Sequence, residues 1–345
     1  MQDSNAHPRQ VASAFEAGVA ALEAGDHSSA AKWFADLLRE DPAHVKAHEL
    51  AGGIALKTGH LREALRHFDM ARRLDPKSAQ HACNAAVAHV RLNEPGRARD
   101  CLTEALALDG GYLLAHALLA KLDLPGPSYL DLLSAIHAHL RPRTYIEIGV
   151  ATGLSITLAS PQTRAIGIDP SPQIRQALGP NVRIVEKSSD DYFMTGDVHS
   201  DLRGLPIDLA FIDGMHRFEF ALRDFINIEK RATQNSTVLI HDCFPLTRLT
   251  AEREGRTAFW SGDVWRLIVL LRKYRPDLSV NVVATAPTGL GIVRKLDPGS
   301  RKLEEHYQEI VEEFLAVDYS VLDSDKAGML GLFPNDWAKI EELLA

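Results

Sequence analysis

Five positions in the first third of the chain recur at one spacing. Gly18, Gly25, Ala30, Phe34 and Pro42 return as Gly52, Gly59, Ala64, Phe68 and Pro76, each 34 residues later. Ala86, Asn93, Ala98, Leu102 and Gly110 continue the series at the same offset. A fixed period of this length marks a supersecondary unit that buries its apolar face only by stacking on its neighbours. Small residues at Gly18/Gly52 and Ala30/Ala64 let two helices approach closely, and Phe34 and Phe68 are expected to fill the space between repeats. Asp41-Pro42 and Asp75-Pro76 stop the second helix of each unit, because proline disfavours helix in the residue before it.

The pattern Ala30-x-x-x-Phe34…Pro42, repeated as Ala64-x-x-x-Phe68…Pro76, resembles the tetratricopeptide repeat over about residues 11–110. It departs from that repeat at the early aromatic position, where only Phe15 is aromatic. Tyr112 to Leu124 is expected to cap the last repeat, giving a domain over 11–124 that Pro125-Gly-Pro127 closes. The resemblance implies a protein partner held in a groove, or self-association, through the repeat array. The histidines of this region (His44, His48, His60, His67, His81, His89) have no metal-ligand spacing and read as solvated helix faces.

The bulk properties exclude several classes. At 345 residues the chain has room for two domains. A net charge of −8 offers no basic footprint, so nucleic-acid binding is not expected. No apolar run approaches the roughly 18 residues of a membrane span. Met1 to Gln10 is polar and lacks the apolar core of a secretory leader. Cys83, Cys101 and Cys243 have neither disulfide nor zinc spacing. The expectation is a cytoplasmic protein without a membrane partner.

From Ser128 the pattern changes to alternating helix and strand. The run Tyr145-Ile-Glu-Ile-Gly-Val-Ala-Thr-Gly153 leads into Ala165-Ile-Gly-Ile-Asp169. That order describes a buried strand, a tight turn and a neighbouring strand ending in a carboxylate. An acid about 20 residues after the glycine turn is the usual place for a group that binds ribose hydroxyls. The dinucleotide fingerprint G-x-G-x-x-G fits poorly, since Ala151 stands two positions after Gly149 and Glu147 lies in front. A pyrophosphate avoids that anion, whereas a ligand carrying a sulfonium and an ammonium group tolerates it.

Helices are expected at about 128–140, 153–160, 171–178, 217–231 and 263–274. Strands are expected at 144–149, 164–168, 182–186, 207–212, 236–241, 279–284 and 290–294. Only Ala286-Pro-Thr-Gly289 joins the last two, so they should be antiparallel. The fold class is therefore α + α/β: helical repeats, then a seven-stranded Rossmann-like sheet with a terminal antiparallel hairpin. Ile207-Asp-Leu-Ala-Phe-Ile-Asp-Gly-Met-His216 and Ser236-Thr-Val-Leu-Ile-His-Asp-Cys243 resemble motifs of a bacterial branch of class I S-adenosylmethionine-dependent methyltransferases related to catechol O-methyltransferase. Gly262-Asp-Val-Trp-Arg266 and Gly289-Leu-Gly-Ile-Val293 extend the likeness, which covers about residues 128–296.

The resemblance implies that Glu147, Gly149 and Gly153 cradle the methionine part of the cofactor and that Asp169 holds the ribose. It places Ser189 and Asp190 near the adenine. Asp213 and Asp242 each end a strand, and neighbouring strands lie roughly 4.8 Å apart. Two acids so placed repel unless a proton or cation sits between them. A divalent ion such as magnesium would answer this and would hold an acceptor oxygen. Catechol-type enzymes carry Asn after the second Asp, and here that residue is Cys243. His241 or His216 would then complete the set, which favours a softer metal. His216, three residues after Asp213, is the candidate general base, with Asp213 beside it.

The segment from Phe244 to Gly262 reads as a lid whose Arg248, Arg253 and Arg256 favour an acidic acceptor; a solvated basic loop is the other reading. Residues 297–345 read as a helical extension without chemistry. The function expected is O-methylation of a small-molecule or sugar hydroxyl. A protein methyltransferase fed by the repeat array, or a silent cofactor-binding scaffold, are the alternatives.

Overall fold

The computed structural model describes residues 6–257 and 259–345, so residues 1–5 of the polar start lie outside the described residues. The chain divides into two compact units, Met1–Leu122 and Asp123–Ala345.

The first unit is a run of helices: α1 (Ala6–Glu23), α2 (His27–Glu40), α3 (Val45–Lys57), α4 (Leu61–Leu74), α5 (Ala79–Arg91), α6 (Pro95–Leu108) and α7 (Leu113–Asp123). Gly25, Gly59 and Asn93 turn the chain inside each pair with φ of +78°, +86° and +58°. Glycine enters this region freely, and asparagine is among the few other residues that tolerate it. A Cβ on Gly18 would lie 2.8 Å from the Phe34 ring, and one on Gly52 would lie 2.6 Å from Phe68. The phenylalanines therefore fill space between the two helices of their own repeat, and Phe34 also shares a core cluster with Ala47 and Ile54 of the next. The third repeat changes both members of the pair, to the fully buried Ala86 and Leu102. A methyl added on one helix is matched by a smaller side chain on the other.

The repeat histidines are a correction, since several are buried. His48, His81 and His89 are 9%, 5% and 6% exposed. His48 and His81 each approach a carbonyl six residues back, Pro42 O at 3.1 Å and Asp75 O at 3.4 Å, and His116 repeats the device on Gly110 O at 2.8 Å. His44 caps α3 by accepting the Ala47 amide. These rings tie down the loop between repeats. A buried imidazole is stable once it satisfies a loop carbonyl.

In the second unit Ser128 and Asp131 form a capping box at the start of α8 (Tyr129–Leu140). The strands are β1 (Thr144–Ile148), β2 (Arg164–Ile168), β3 (Val182–Val185), β4 (Leu209–Ile212), β5 (Thr237–His241), β6 (Ser279–Val283), β7 (Leu290–Arg294) and β8 (Leu332–Phe333). Their order in the sheet is β3-β2-β1-β4-β5-β7-β6-β8. The first five run parallel, and β7 is antiparallel to both β5 and β6, as the short connection requires. The seven expected strands become eight, because two residues of the C-terminal extension pair parallel to β6. So short a strand has no readable period. Every residue of β1, β4 and β5 is buried, as in a parallel sheet covered on both faces.

The helices between strands are α9 (Ser189–Met194), α10 (Asp197–Asp201), α11 (Phe218–Glu229) and α12 (Trp265–Tyr274). The helix expected at 153–160 is a single 3-10 turn, Ile156–Leu158. The one expected at 171–178 is absent. Gln173 and Arg175 donate their amides to the carbonyls of Ala151 and Thr152, so the segment's backbone bonds fasten it to the glycine turn. After β7 come α13 (Lys302–Glu305), α14 (Tyr307–Leu315), α15 (Tyr319–Ser324), α16 (Lys326–Leu330) and α17 (Trp337–Leu344). Ile340 and Leu344 of α17 join the core built on Leu132, Leu133 and Tyr145. No helix of the described residues is long and apolar enough to cross a membrane.

Candidate active site

The carboxyl edge of β1, β2, β4 and β5 is shaped by close backbone contacts. Gly149 has φ +85°, and a Cβ there would stand 1.9 Å from the carbonyl oxygen of Asp213. The glycine is thus demanded by the end of β4. Asp169, at the end of β2, accepts the amides of Val150 (3.0 Å) and Ala151 (2.9 Å) on one oxygen and that of Ser171 (2.8 Å) on the other. It moulds the turn that the sequence placed around a ribose. Glu147 is fully buried, and it accepts the Tyr145 hydroxyl at 2.6 Å and the Ser155 hydroxyl at 2.6 Å. Burial pushes its carboxyl up to about 8 against those two bonds.

Parallel pairing of β4 with β5 sets Ile212 against Ile240. The next residues are Asp213 and His241, so Asp242 lies one position further on. A φ of +59° turns the chain at Asp242. Its Oδ2 comes within 3.1 Å of His216 Nε2 and 3.4 Å of His241 Nδ1, while Oδ1 accepts the Thr288 hydroxyl at 2.7 Å. Asp213 Oδ1 is 3.1 Å from His241 Nδ1 and 3.6 Å from His216 Nε2. His216 Nδ1 lies 3.1 Å from the Trp260 carbonyl, which can only accept; that fixes the proton on Nδ1 and aims Nε2 at the two carboxylates. The His216 loop is packed so tightly that a Cβ on Gly262 would lie 1.8 Å from its carbonyl oxygen.

Electrostatics follow from this crowding. Burial lowers the affinity of His216 for a proton, but Asp242 and Asp213 outweigh it and raise the imidazole to about 9. His241 is likewise held well above its ordinary value by both aspartates, despite its burial. Burial would raise Asp213, yet the two histidines hold it well below the carboxylate range. His241 Nε2 is buried without a hydrogen-bond partner. Three non-glycine residues with positive φ, Ala151, His216 and Asp242, meet at this edge. Strain of that kind persists where the surrounding structure enforces it.

These groups open onto a cleft of about 860 Å³. Eight of the ten residues singled out from the sequence line it: Gly149, Asp169, Ser189, Asp190, Asp213, His216, His241 and Asp242. Glu147 and Gly153 do not; Glu147 sits behind Ser155, which does. Asp190 is held by Arg223, whose Nη2 is 2.7 Å away. Sequence reasoning missed Tyr129, whose ring lies 4.3 Å from that of His241, and also Thr288 and the buried Asp224, whereas Trp260 belongs to the segment read as a lid. None carried a motif. Arg248 pairs with Asp318, Arg253 with Glu219 and Asp263, and Arg256 with Glu252, and none of the three lines the cleft.

Comparison with known proteins agrees with this architecture. Residues 146–243 match the methyltransferase domain family. Residues 3–45, 15–79 and 50–112 match the tetratricopeptide repeat. Among solved structures, a crystal structure of MamA is 25% identical with a TM-score of 0.30; the likeness covers 30% of this chain and 61% of that one. A MamA fragment (41 to the end) from Desulfovibrio magneticus RS-1 is 20% identical over 33% of this chain and 64% of its own, with a TM-score of 0.32. The Arabidopsis OM64 TPR domain is 16% identical over 34% of this chain and 96% of its own, with a TM-score of 0.33. No curated protein matches the chain. One chain thus carries a tetratricopeptide repeat region and a methyltransferase domain.

Proposed function

We propose that the chain is an S-adenosylmethionine-dependent O-methyltransferase of the catechol-related type whose acceptor hydroxyl, on a small molecule or sugar, is held at the Asp213, His216 and Asp242 cluster. The observation that carries this reading is the convergence of one ligand atom from each of these residues within 4.8 Å, beside the glycine-turn cleft. Bound in the cleft, the cofactor would supply an electrophilic methyl group on a cationic sulfur. The turn from Gly149, Asp169 and Ser189 would hold its methionine, ribose and adenine parts. A cleft of this size suits a ligand of that class.

The donor set also fits a divalent cation. With the Nδ1 proton engaged by Trp260, a neutral His216 turns a lone pair toward two carboxylates. Such a cluster needs a proton or a metal ion to balance it. Asp213, Asp242 and His216 would hold the ion, and His241, 3.1 Å from Asp213, would orient that carboxylate or take a place in the set. Such an ion would make an acceptor hydroxyl more acidic. One nitrogen with two oxygens favours a first-row transition metal such as manganese or zinc over magnesium. The acceptor hydroxyl, held at Asp213, His216 and Asp242, would give up its proton to this cluster as it takes the methyl group that the bound cofactor would supply. Without metal, His216 serves as base only after losing the proton its two aspartates stabilise.

The repeat array supports a second role, holding a protein partner or another copy of the chain, and a protein acceptor would join the two functions. Calorimetric titration with S-adenosylmethionine tests the first premise. One site, lost in Asp169→Ala, is expected. A folded chain that binds none would overturn the reading, and binding without turnover would leave the silent cofactor-binding scaffold.

A further inference from the structure

The loop between β6 and β7 reaches the cluster and decides how one of its carboxylates is presented. The β5–β7 register sets His241 against Leu290, so the residues just beyond that pair, Asp242 on one side and Thr288 on the other, meet at the sheet edge. Both are buried. The Thr288 hydroxyl donates to Asp242 Oδ1 at 2.7 Å, a charge-assisted bond made stronger by its burial. The donor is itself held in place. The Thr288 carbonyl accepts the Phe244 amide at 2.6 Å, and the Gly289 amide goes to the Thr285 carbonyl at 2.8 Å. The Thr285 hydroxyl in turn donates to the Pro127 carbonyl at 2.7 Å, while the Tyr129 amide reaches the Ala286 carbonyl at 3.3 Å. The loop is thus fastened on both flanks, and the hydroxyl has little freedom to leave Oδ1.

The two oxygens of Asp242 therefore have different partners. Oδ1 is committed to Thr288, and Oδ2 is the oxygen 3.1 Å from His216 Nε2 and 3.4 Å from His241 Nδ1. A carboxylate divided in this way offers an ion one oxygen. Calcium takes about six to eight oxygen ligands and often both oxygens of one carboxylate. Smaller ions with fewer ligands are satisfied by single oxygens, and the imidazole of His216 already favours a transition metal. Without the hydroxyl, Oδ1 would be a buried acceptor lacking its donor and would be free to turn toward the ion.

We infer that Thr288 is a positioning residue that holds Asp242 as a one-oxygen ligand and so makes the cluster select a transition metal such as manganese against calcium. This rests on the reading of Asp213, His216 and Asp242 as a cation-holding set. The test uses the full chain with S-adenosylhomocysteine present. Manganese and calcium are titrated separately by calorimetry into the unaltered chain, Thr288→Val and Thr288→Ser. The unaltered chain should bind manganese at least about tenfold more tightly than calcium. Thr288→Val, nearly the same in shape, should bind manganese about tenfold more weakly and bring the two metals close to parity. Its affinity for S-adenosylhomocysteine should stay within about twofold, which a merely structural role would not ensure. Thr288→Ser keeps the hydroxyl and should match the unaltered chain for both metals. Equal binding of the two metals by the unaltered chain overturns the inference. So does a Thr288→Val that keeps the full preference, a folded Thr288→Val that loses S-adenosylhomocysteine together with manganese, or a Thr288→Ser that loses the preference. Where Thr288→Val fails to fold, the other two chains decide. A chain that binds S-adenosylhomocysteine but neither metal defeats the cation reading, and one that binds no S-adenosylhomocysteine defeats the methyltransferase reading.

Discussion

The two units place their glycines under opposite demands. In the repeat unit Gly18 and Gly52 make room for side chains, the rings of Phe34 and Phe68. In the sheet unit Gly149 and Gly262 make room for backbone, the carbonyl oxygens of Asp213 and His216. A side chain can be exchanged for a smaller one, and the third repeat does so with Ala86 and Leu102. A carbonyl at the end of a strand cannot be trimmed. The repeat unit therefore tolerates paired change, while the edge that carries the cluster does not.

The largest effect should come from Gly149→Ala. The added Cβ meets Asp213 O at 1.9 Å on a backbone with φ +85°, and the sheet unit should lose about 4 kcal/mol or fail to fold. Chemical denaturation measures this, and a loss below about 1 kcal/mol would break the contrast between the units. Gly262→Ala strikes the His216 carbonyl in the same way and should abolish metal binding even where the unit stays folded. Circular dichroism beside a manganese titration separates those two results.

In the repeat unit Gly52→Ala alone should cost about 1–3 kcal/mol by overpacking Phe68. Adding Phe68→Leu should recover most of that loss, since the pair then copies the third repeat. A double-mutant cycle reads the coupling directly, and strictly additive losses would refute the pairing.

A further effect concerns pH. Glu147 titrates near 4.5 when free and is raised to about 8 by burial, so the folded state binds the extra proton. Its contribution to stability is complete below pH 4.5 and is lost as pH climbs through 8. Glu147→Gln should flatten that decline in a series of denaturation curves. A decline of unchanged slope would mean that Glu147 is not its source.

What the sequence disclosed follows the same division. The repeat was legible because each packing position occurs more than once, so Gly25, Gly59 and Asn93 announce one turn three times. The sheet was legible from strands buried on both faces and from the acids that end them. Single contacts were not legible. Nothing in the chain around His48 announces that its ring meets the carbonyl of Pro42. Nothing near Asp242 announces the positive φ that turns its carboxylate toward His216. Tyr129 reaches His241 from another element, and two-residue β8 is defined by its partner rather than by pattern.

The most direct test of the central claim, a methyl-donor cleft joined to a cation-holding cluster, is thermal unfolding with S-adenosylhomocysteine. It is repeated with magnesium, with manganese and with a chelator, in the full chain and in Asp242→Ala. At about 100 times its dissociation constant the ligand should add about 2.7 kcal/mol to the unit that binds it. The account predicts that shift, a further increment with manganese larger than with magnesium, and loss of the increment alone in Asp242→Ala. A folded chain that gains nothing from the ligand, or a metal increment that survives in Asp242→Ala, would contradict it.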